Sequence, residues 1–270
     1  MTFGQGGLAC GAARRPMRPW RPRRGLPRKR DILPEPRRGD DPLVIPRLQA
    51  RRLEVDGERY YQVDGLTLPS VSTILKVIAK PNLVAWARRT ALETVRELLE
   101  EGLSVEVALS LAEVEPERVR DAAAQRGGLA HEAIACALMG KAHPSEWEPW
   151  VKAARSFLAD YGLRLVAAEQ VLVSKRHGFA GTCDLITCGA DGVLTLVDWK
   201  TGGIWPEAAL QLGAYAIALE EMTGRPVGMA YVVGLRERGY GEKRVFLPLA
   251  REGFLAALSL WKALRGELYE

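Results

Sequence analysis

The 270-residue sequence is short of the features that would commit it to a membrane, an oxidising compartment or a zinc site. No apolar run approaches the ~18 residues of a bilayer span, and no signal-like apolar stretch stands near Met1, so the expectation is a cytoplasmic protein with no membrane partner. Cys10, Cys136, Cys183 and Cys188 show no C-x-x-C spacing, which points to a reducing environment without structural zinc. Histidine is scarce, with three in the chain, and no internal repeat is visible. Net positive charge is missing where a fold is expected. Residues 1–41 hold eleven Lys/Arg against four Asp/Glu, whereas the other 229 residues hold 27 against 29. The net charge of +5 therefore belongs to one end, and the body offers no global attraction for phosphate. Any nucleic-acid groove must be built locally.

Residues 1–46 contain eight of the sixteen prolines and the arginine-rich run RRPMRPWRPRRGLPRKR. Too few apolar side chains occur there for a core, so a basic disordered arm is expected. Such an arm can track a nucleic-acid backbone through its arginines, with Trp20 stacking on a base. It can equally be a solubilising tail, or translated sequence ahead of a start at Met17. Leu53–Val55 and Tyr60–Val63 flank Asp56-Gly57 and read as a hairpin. Ser70 caps a helix to about Ala79; Pro81 breaks it and Asn82 caps a second helix closed by Gly102. A third short helix, Ser104–Val114, is expected to stop before Pro116, giving residues 47–115 as a small hairpin and helical wall.

The most informative stretch is Gly178–Thr201, GFAGTCDLITCGADGVLTLVDWKT. Gly181–Thr187 and Val193–Trp199 read as strands, and Ala190-Asp191-Gly192 as a tight turn with Gly192 left-handed. Opposed residues then have numbers summing to 382, which sets Asp184 against Asp198 with Cβ atoms roughly 5 Å apart. A two-residue loop would shift the register and separate them. Lys200 shares a face with Asp198 by the period of two. A solvated face with a surface ion pair is the bland alternative. Cys183, Leu185, Ile186, Leu194, Leu196, Val197 and Trp199 argue instead for a buried sheet, where converging charges are costly without a ligand.

G-T-C-D-L-I followed, fourteen residues from the first Asp to the second, by V-D-W-K-T-G resembles the PD-(D/E)xK nucleases. The wording is closest to the RecB-like branch with phage exonucleases and the mitochondrial genome maintenance exonuclease, whose front is similar to PSV…IL here. Cys183 stands in place of the eponymous Pro, and Asp198 in place of Glu. The resemblance implies an α/β, restriction-endonuclease-like core over residues 116–270, with a central mixed sheet flanked by helices and an N-terminal helical wall. It also implies a metal-dependent deoxyribonuclease, an exonuclease of DNA recombination, repair or replication, acting on single strands or duplex ends. A single-strand annealing or recombination protein is the partner such enzymes suggest. A non-catalytic nucleic-acid module, or a hydrolase of another phosphodiester, stays open as the alternative.

Asp184 and Asp198 suit Mg²⁺ or Mn²⁺, hard cations that take carboxylate oxygen, and Lys200 positions water or neutralises phosphate. By similarity to the family, His131 in Gly128-Leu129-Ala130-His131 serves a metal or the bound phosphate, and the backbone carbonyl of Trp199 completes the metal set. Glu169 by the same similarity adds a third acid from the strand LRLVAAEQVLVS, where by the residues alone it reads equally as a side chain exposed on an edge. The iron–sulfur cluster of some relatives needs cysteines near the C-terminus, and none follows Cys188. Gln211 and Tyr215, four apart on the helix opened by Pro206 and closed by Gly224, match the family's Q-x-x-x-Y and are expected along the nucleic-acid path. Without the resemblance they read as the polar end of a core stripe. Arg236, Arg238, Lys243 and Arg244 surround a glycine loop as phosphate contacts. Ser145 is expected to cap a helix, Val227–Val233 and Lys243–Leu249 to be strands, and Arg251–Leu268 the closing helix.

Overall fold

Two Asp-Gly turns shape the start of the described chain, which in this computed structural model covers residues 43–46 and 48–266. Asp56 and Gly57 both take positive φ, as do Asp64 and Gly65, the conformation that tight hairpins with right-twisted strands demand. The result is an antiparallel meander of β1 (Ala50–Val55), β2 (Glu58–Val63) and β3 (Leu66–Pro69). Only its first hairpin was expected. The expected arm lies outside the described residues up to 42, while Leu43 and Ile45 pack against the main core.

Ser70 accepts a hydrogen bond from the Thr73 N–H and caps α1 (Val71–Ile74), which tightens to a 3₁₀ turn at Leu75–Val77 and stops short of Ala79. Pro81 starts a helix rather than merely breaking one. It occupies the first turn of α2 (Pro81–Glu100), where its missing N–H costs nothing, so Asn82 lies inside the helix and does not cap it. Gly102, at φ +88°, ends α2 as expected. The expected stop before Pro116 is absent. A single 34-residue helix, α3 (Val105–Leu138), runs through Pro116 and through the 115/116 boundary. An internal proline costs about 3 kcal/mol; here it is buried, and α2 packs along the same helix.

After a 3₁₀ turn at Ser145–Trp147, which Ser145 begins without capping the α-helix, come α4 (Glu148–Asp160), β4 (Arg164–Ser174), β5 (Phe179–Cys188) and β6 (Leu194–Lys200). Then α5 (Pro206–Thr223) leads to β7 (Val227–Arg236), β8 (Gly239–Arg244) and α6 (Leu247–Arg265). The expected strand Lys243–Leu249 is therefore cut short. Pro248 suits the first turn of α6 and could not donate to a ladder.

The five strands lie in the order β4-β5-β6-β7-β8, antiparallel except for β6 beside β7, which α5 connects in parallel. This is the expected mixed sheet with helices on both faces. Alternation along β6 divides the core. Leu194 and Leu196 face α5 and α6, whereas Val197 and Trp199 face α4, where the Trp199 ring meets Phe157 edge-on at 5.8 Å. At Gly213 the backbones of α5 and α6 come so close that a Cβ would sit 2.4 Å from the Ala250 carbonyl. The small N-terminal sheet is tied to the large one by a parallel bridge between Ser70 and Ala180 on β5. Among the described residues no helix is long and apolar enough to cross a membrane.

Candidate active site

The β5–β6 register is the one its turn dictates. Leu185↔Val197, Ile186↔Leu196, Thr187↔Thr195 and Cys188↔Leu194 all sum to 382, and Gly189 N–H donates to Val193 O at 3.0 Å around Gly192 at φ +80°. The ladder stops at Leu185↔Val197, so the next opposed residues are Asp184 and Asp198. There the Trp199 N–H donates to Asp184 Oδ2 at 2.8 Å, and the carboxylate replaces a strand carbonyl as acceptor. Trp199 thus contributes backbone beside the site while its ring is buried behind it.

Pairing of β4 with β5 is also interrupted here. Ala168 pairs with Leu185 and Gln170 with Cys183, while Glu169 between them takes φ +48°, an unusual conformation for a side chain with a Cβ. Such strain costs about 1–3 kcal/mol and gathers at functional sites. Glu169 lines a cavity of about 600 Å³ together with His131, Asp184, Asp198, Lys200, Gln211 and Tyr215. Seven residues singled out in sequence are thereby brought to one place. Candidate ligand atoms of His131, Glu169 and Asp184 lie within 4.8 Å of one another.

His131 comes from α3, with Nδ1 3.3 Å from Asp184 Oδ2. The glycine pair before it is not forced by close packing, since a Cβ on Gly128 would meet nothing within 4 Å. A Cβ on Gly127 would lie 3.4 Å from Thr201 Oγ1, and Gly128 lines the cavity. On α5, Gln211 Nε2 donates to the Tyr215 hydroxyl at 2.8 Å. The Tyr215 ring lies over Gly181, where a Cβ would meet its Cε1 at 2.7 Å. The glycine of G-T-C-D is thus required by a side chain from another element.

Electrostatics within the cavity are unequal. Asp198 is 1% exposed, and burial, reinforced by Asp184 and opposed by Lys200, pushes its pKa up to about 6. Burial also works against the charge of Asp184, but His131, Lys200 and the Trp199 N–H hold its pKa below the ordinary value. For His131 and Lys200 burial opposes the cationic form, and the facing aspartates outweigh it, so both are raised. Glu169 opens to solvent through the cavity mouth, yet its carboxyl is crowded by protein. Desolvation, then Asp184, raises it to about 7.

Lys200 forms an ion pair with Asp198 through Oδ2, whereas the buried Oδ1 of Asp198 has no hydrogen-bond donor among the described residues. Three carboxylates thus face one lysine and one histidine. Hard oxygen donors in excess, with orphaned lone pairs and an imidazole, fit a divalent cation.

Arg236, Arg238, Lys243 and Arg244 are exposed and lie outside the cavity, at the β7–β8 edge. Lys243 pairs with Val232, which pairs with Asp198, so it stands two strand spacings, roughly 10 Å, from that carboxylate. Sequence reading missed Arg52, Arg59, Tyr61, Ser70, Ser72, Thr182 and Glu132 as lining residues. Alternation across the first Asp-Gly hairpin was the available signal for Arg52, Arg59 and Tyr61, which share a face.

The family model described as the PD-(D/E)XK nuclease superfamily matches residues 82–262. None of the curated proteins matches the chain significantly.

Proposed function

The chain belongs to the PD-(D/E)XK nuclease superfamily, and from that premise we propose a metal-dependent deoxyribonuclease, an exonuclease of the RecB-like, phage and mitochondrial type. The observation that carries the reading is the convergence of His131, Glu169 and Asp184 beside Asp198, whose buried Oδ1 has no donor among the described residues.

Asp184 and Asp198 are the proposed principal ligands, with His131 and the Trp199 carbonyl completing the set for Mg²⁺ or Mn²⁺. When bound, such an ion supplies Lewis acidity toward a phosphoryl oxygen and a lowered pKa for water. Lys200 offers its ammonium to the phosphate or the attacking water, held in place by Asp198. Glu169, with a pKa near 7, is suited to take the proton released as the water oxygen bonds to phosphorus. The P–O3′ bond breaks and the leaving oxygen gains a proton. Gln211 fixes the Tyr215 hydroxyl along the strand path, and Arg236, Arg238, Lys243 and Arg244 contact backbone outside the cavity. Residues 47–115 act as a wall beside the site, and the biological setting is DNA recombination, repair or replication in the cytoplasm, with an annealing or recombination protein as partner.

Linear single-stranded and duplex DNA, with free or blocked ends, and closed circles test this reading. Cleavage of free-ended DNA with Mg²⁺ or Mn²⁺ that stops in EDTA is expected; efficient cutting of closed circles would refute the exonuclease assignment.

A further inference from the structure

Resting on the nuclease reading, we propose that the end of the cavity built by the N-terminal sheet is a subsite for a second backbone phosphate of the substrate strand. That phosphate is the neighbour of the scissile one, and Arg52 and Arg59 hold it. Both residues precede the stretch matched by the superfamily, residues 82–262, so the family match does not cover the subsite.

The cavity is divided in character. One end carries Glu132, Glu169, Asp184 and Asp198. The other carries Arg52 and Arg59, guanidinium donors suited to a phosphate, beside the hydroxyls of Tyr61, Ser70, Ser72 and Thr182, which are largely hydrogen-bonded to one another or to Thr73. Arg52 stands opposite Tyr61 in the β1–β2 ladder, and Arg59 lies two residues from Tyr61, so all three share a face. Diagonal neighbours of this kind are roughly 7–8 Å apart, close enough for two guanidinium groups to meet on one anion. Like charges so placed repel unless something negative lies between them. Among the described residues neither arginine makes an ion pair, not even Arg59 with Glu54 opposite it in the ladder.

The position of the subsite is rigidly related to the acidic cluster. The Arg59 backbone is clamped at both polar groups: its N–H donates to Thr73 Oγ1 at 2.9 Å, and its carbonyl accepts from the Thr73 hydroxyl and the Ser70 N–H, each at 2.9 Å. Tyr61 and Thr182 hydroxyls are hydrogen-bonded at 2.8 Å, and Ser70 bridges to Ala180. Thr182 and Asp184 are on the same strand, two residues and so roughly 7 Å apart. That is close to the separation of successive phosphates along an extended strand. A strand whose scissile phosphate lies at Asp184 and Asp198 thus brings its neighbour beside Thr182, in the part of the cavity that the arginines line.

The test uses the full-length protein with Arg52→Gln, Arg59→Gln and the double variant, each checked for an unchanged melting temperature. Affinity for a fluorescent oligonucleotide is measured in EDTA across KCl concentrations, so binding is read without cleavage. Each single variant should lose about tenfold in affinity, and the slope of log K against log salt should flatten by about 0.7–0.9 per contact. Arg52, exposed on the surface sheet, keeps the test decisive if Arg59→Gln fails to fold. A single methylphosphonate is then moved along the substrate. In the wild type the neutral linkage next to the cut should raise KM about as much as Arg59→Gln does, and in that variant it should add nothing. Unchanged affinity and slope in the variants overturn the subsite; additive losses overturn its assignment to that phosphate. If the wild type cuts no DNA yet binding depends on both arginines, the nuclease reading fails and the subsite stands. If it cuts normally and the variants behave as wild type, the reverse holds.

Discussion

Replacing Asp198 by Asn should destroy activity and at the same time stabilise the metal-free fold. Asp198 is 1% exposed, faces Asp184 and has only Lys200 and the more distant His131 to offset its charge. Moving its carboxyl from an ordinary 3.8 to about 6 disfavours the ionised form in the fold by roughly 3 kcal/mol. Because the folded pKa is the higher one, the contribution of this carboxyl to stability is fully present below pH 3.8 and is lost as pH rises through about 6. The Asn side chain stays neutral and escapes the loss. At pH 8 in EDTA the variant should therefore melt about 6–12 °C above wild type, taking 2–4 °C per kcal/mol for a chain of this size. At pH 4 the two should nearly coincide. Mn²⁺ should raise the wild-type melting temperature and leave the variant's unmoved, since an ion stabilises only the fold that binds it. Cleavage should fall below about 1% of wild type, because the ion's Lewis acidity is lost with its ligand. Calorimetric melts at pH 4, 6 and 8 with and without Mn²⁺ decide the matter. A variant that melts no higher than wild type at pH 8, or that keeps its activity, refutes the placement here of a buried carboxylate that its neighbours only partly compensate.

Lys200→Met should abolish turnover but leave Mn²⁺ binding at least as tight, since it removes the cation already paired with Asp198; loss of binding in a titration would reassign the lysine. Mn²⁺ affinity should fall steeply below about pH 6–7, where Glu169 and then Asp198 take up protons, as titrations at several pH values would show. Gly181→Ala should cost about 1–3 kcal/mol through overpacking, because its Cβ would lie 2.7 Å from Tyr215 Cε1 and 3.1 Å from Val71 Cγ2; an unchanged melting temperature would contradict that contact. Deleting residues 1–41 should leave cleavage at saturating substrate intact, and flatten the salt dependence of binding by about 0.7–0.9 per phosphate contact if the segment acts as an arm. An unaltered slope marks it as a tail.

What sequence alone determined about this protein is what neighbouring residues settle among themselves. The 382 register of β5 and β6 followed from one glycine with positive φ and a side-chain period of two, so Asp184 and Asp198 were legible as opposed residues. Ser70 as a cap and Gly102 and Gly224 as helix ends are local for the same reason. Proline was legible only in part, because the same residue suits a first helical turn at 81 and 248, and at 116 survives inside a helix that another helix supports. Tertiary structure alone decided that the β5–β6 ladder ends where the two aspartates meet, that Glu169 takes a left-handed backbone between paired neighbours, and that Gly181 yields its space to Tyr215. It also brought Arg52 and Arg59 to the cavity, through a Tyr61–Thr182 hydrogen bond spanning 121 residues. No periodicity encodes such contacts, because they depend on how separate elements come to rest against one strand, and burial is what turns those arrangements into shifted charge.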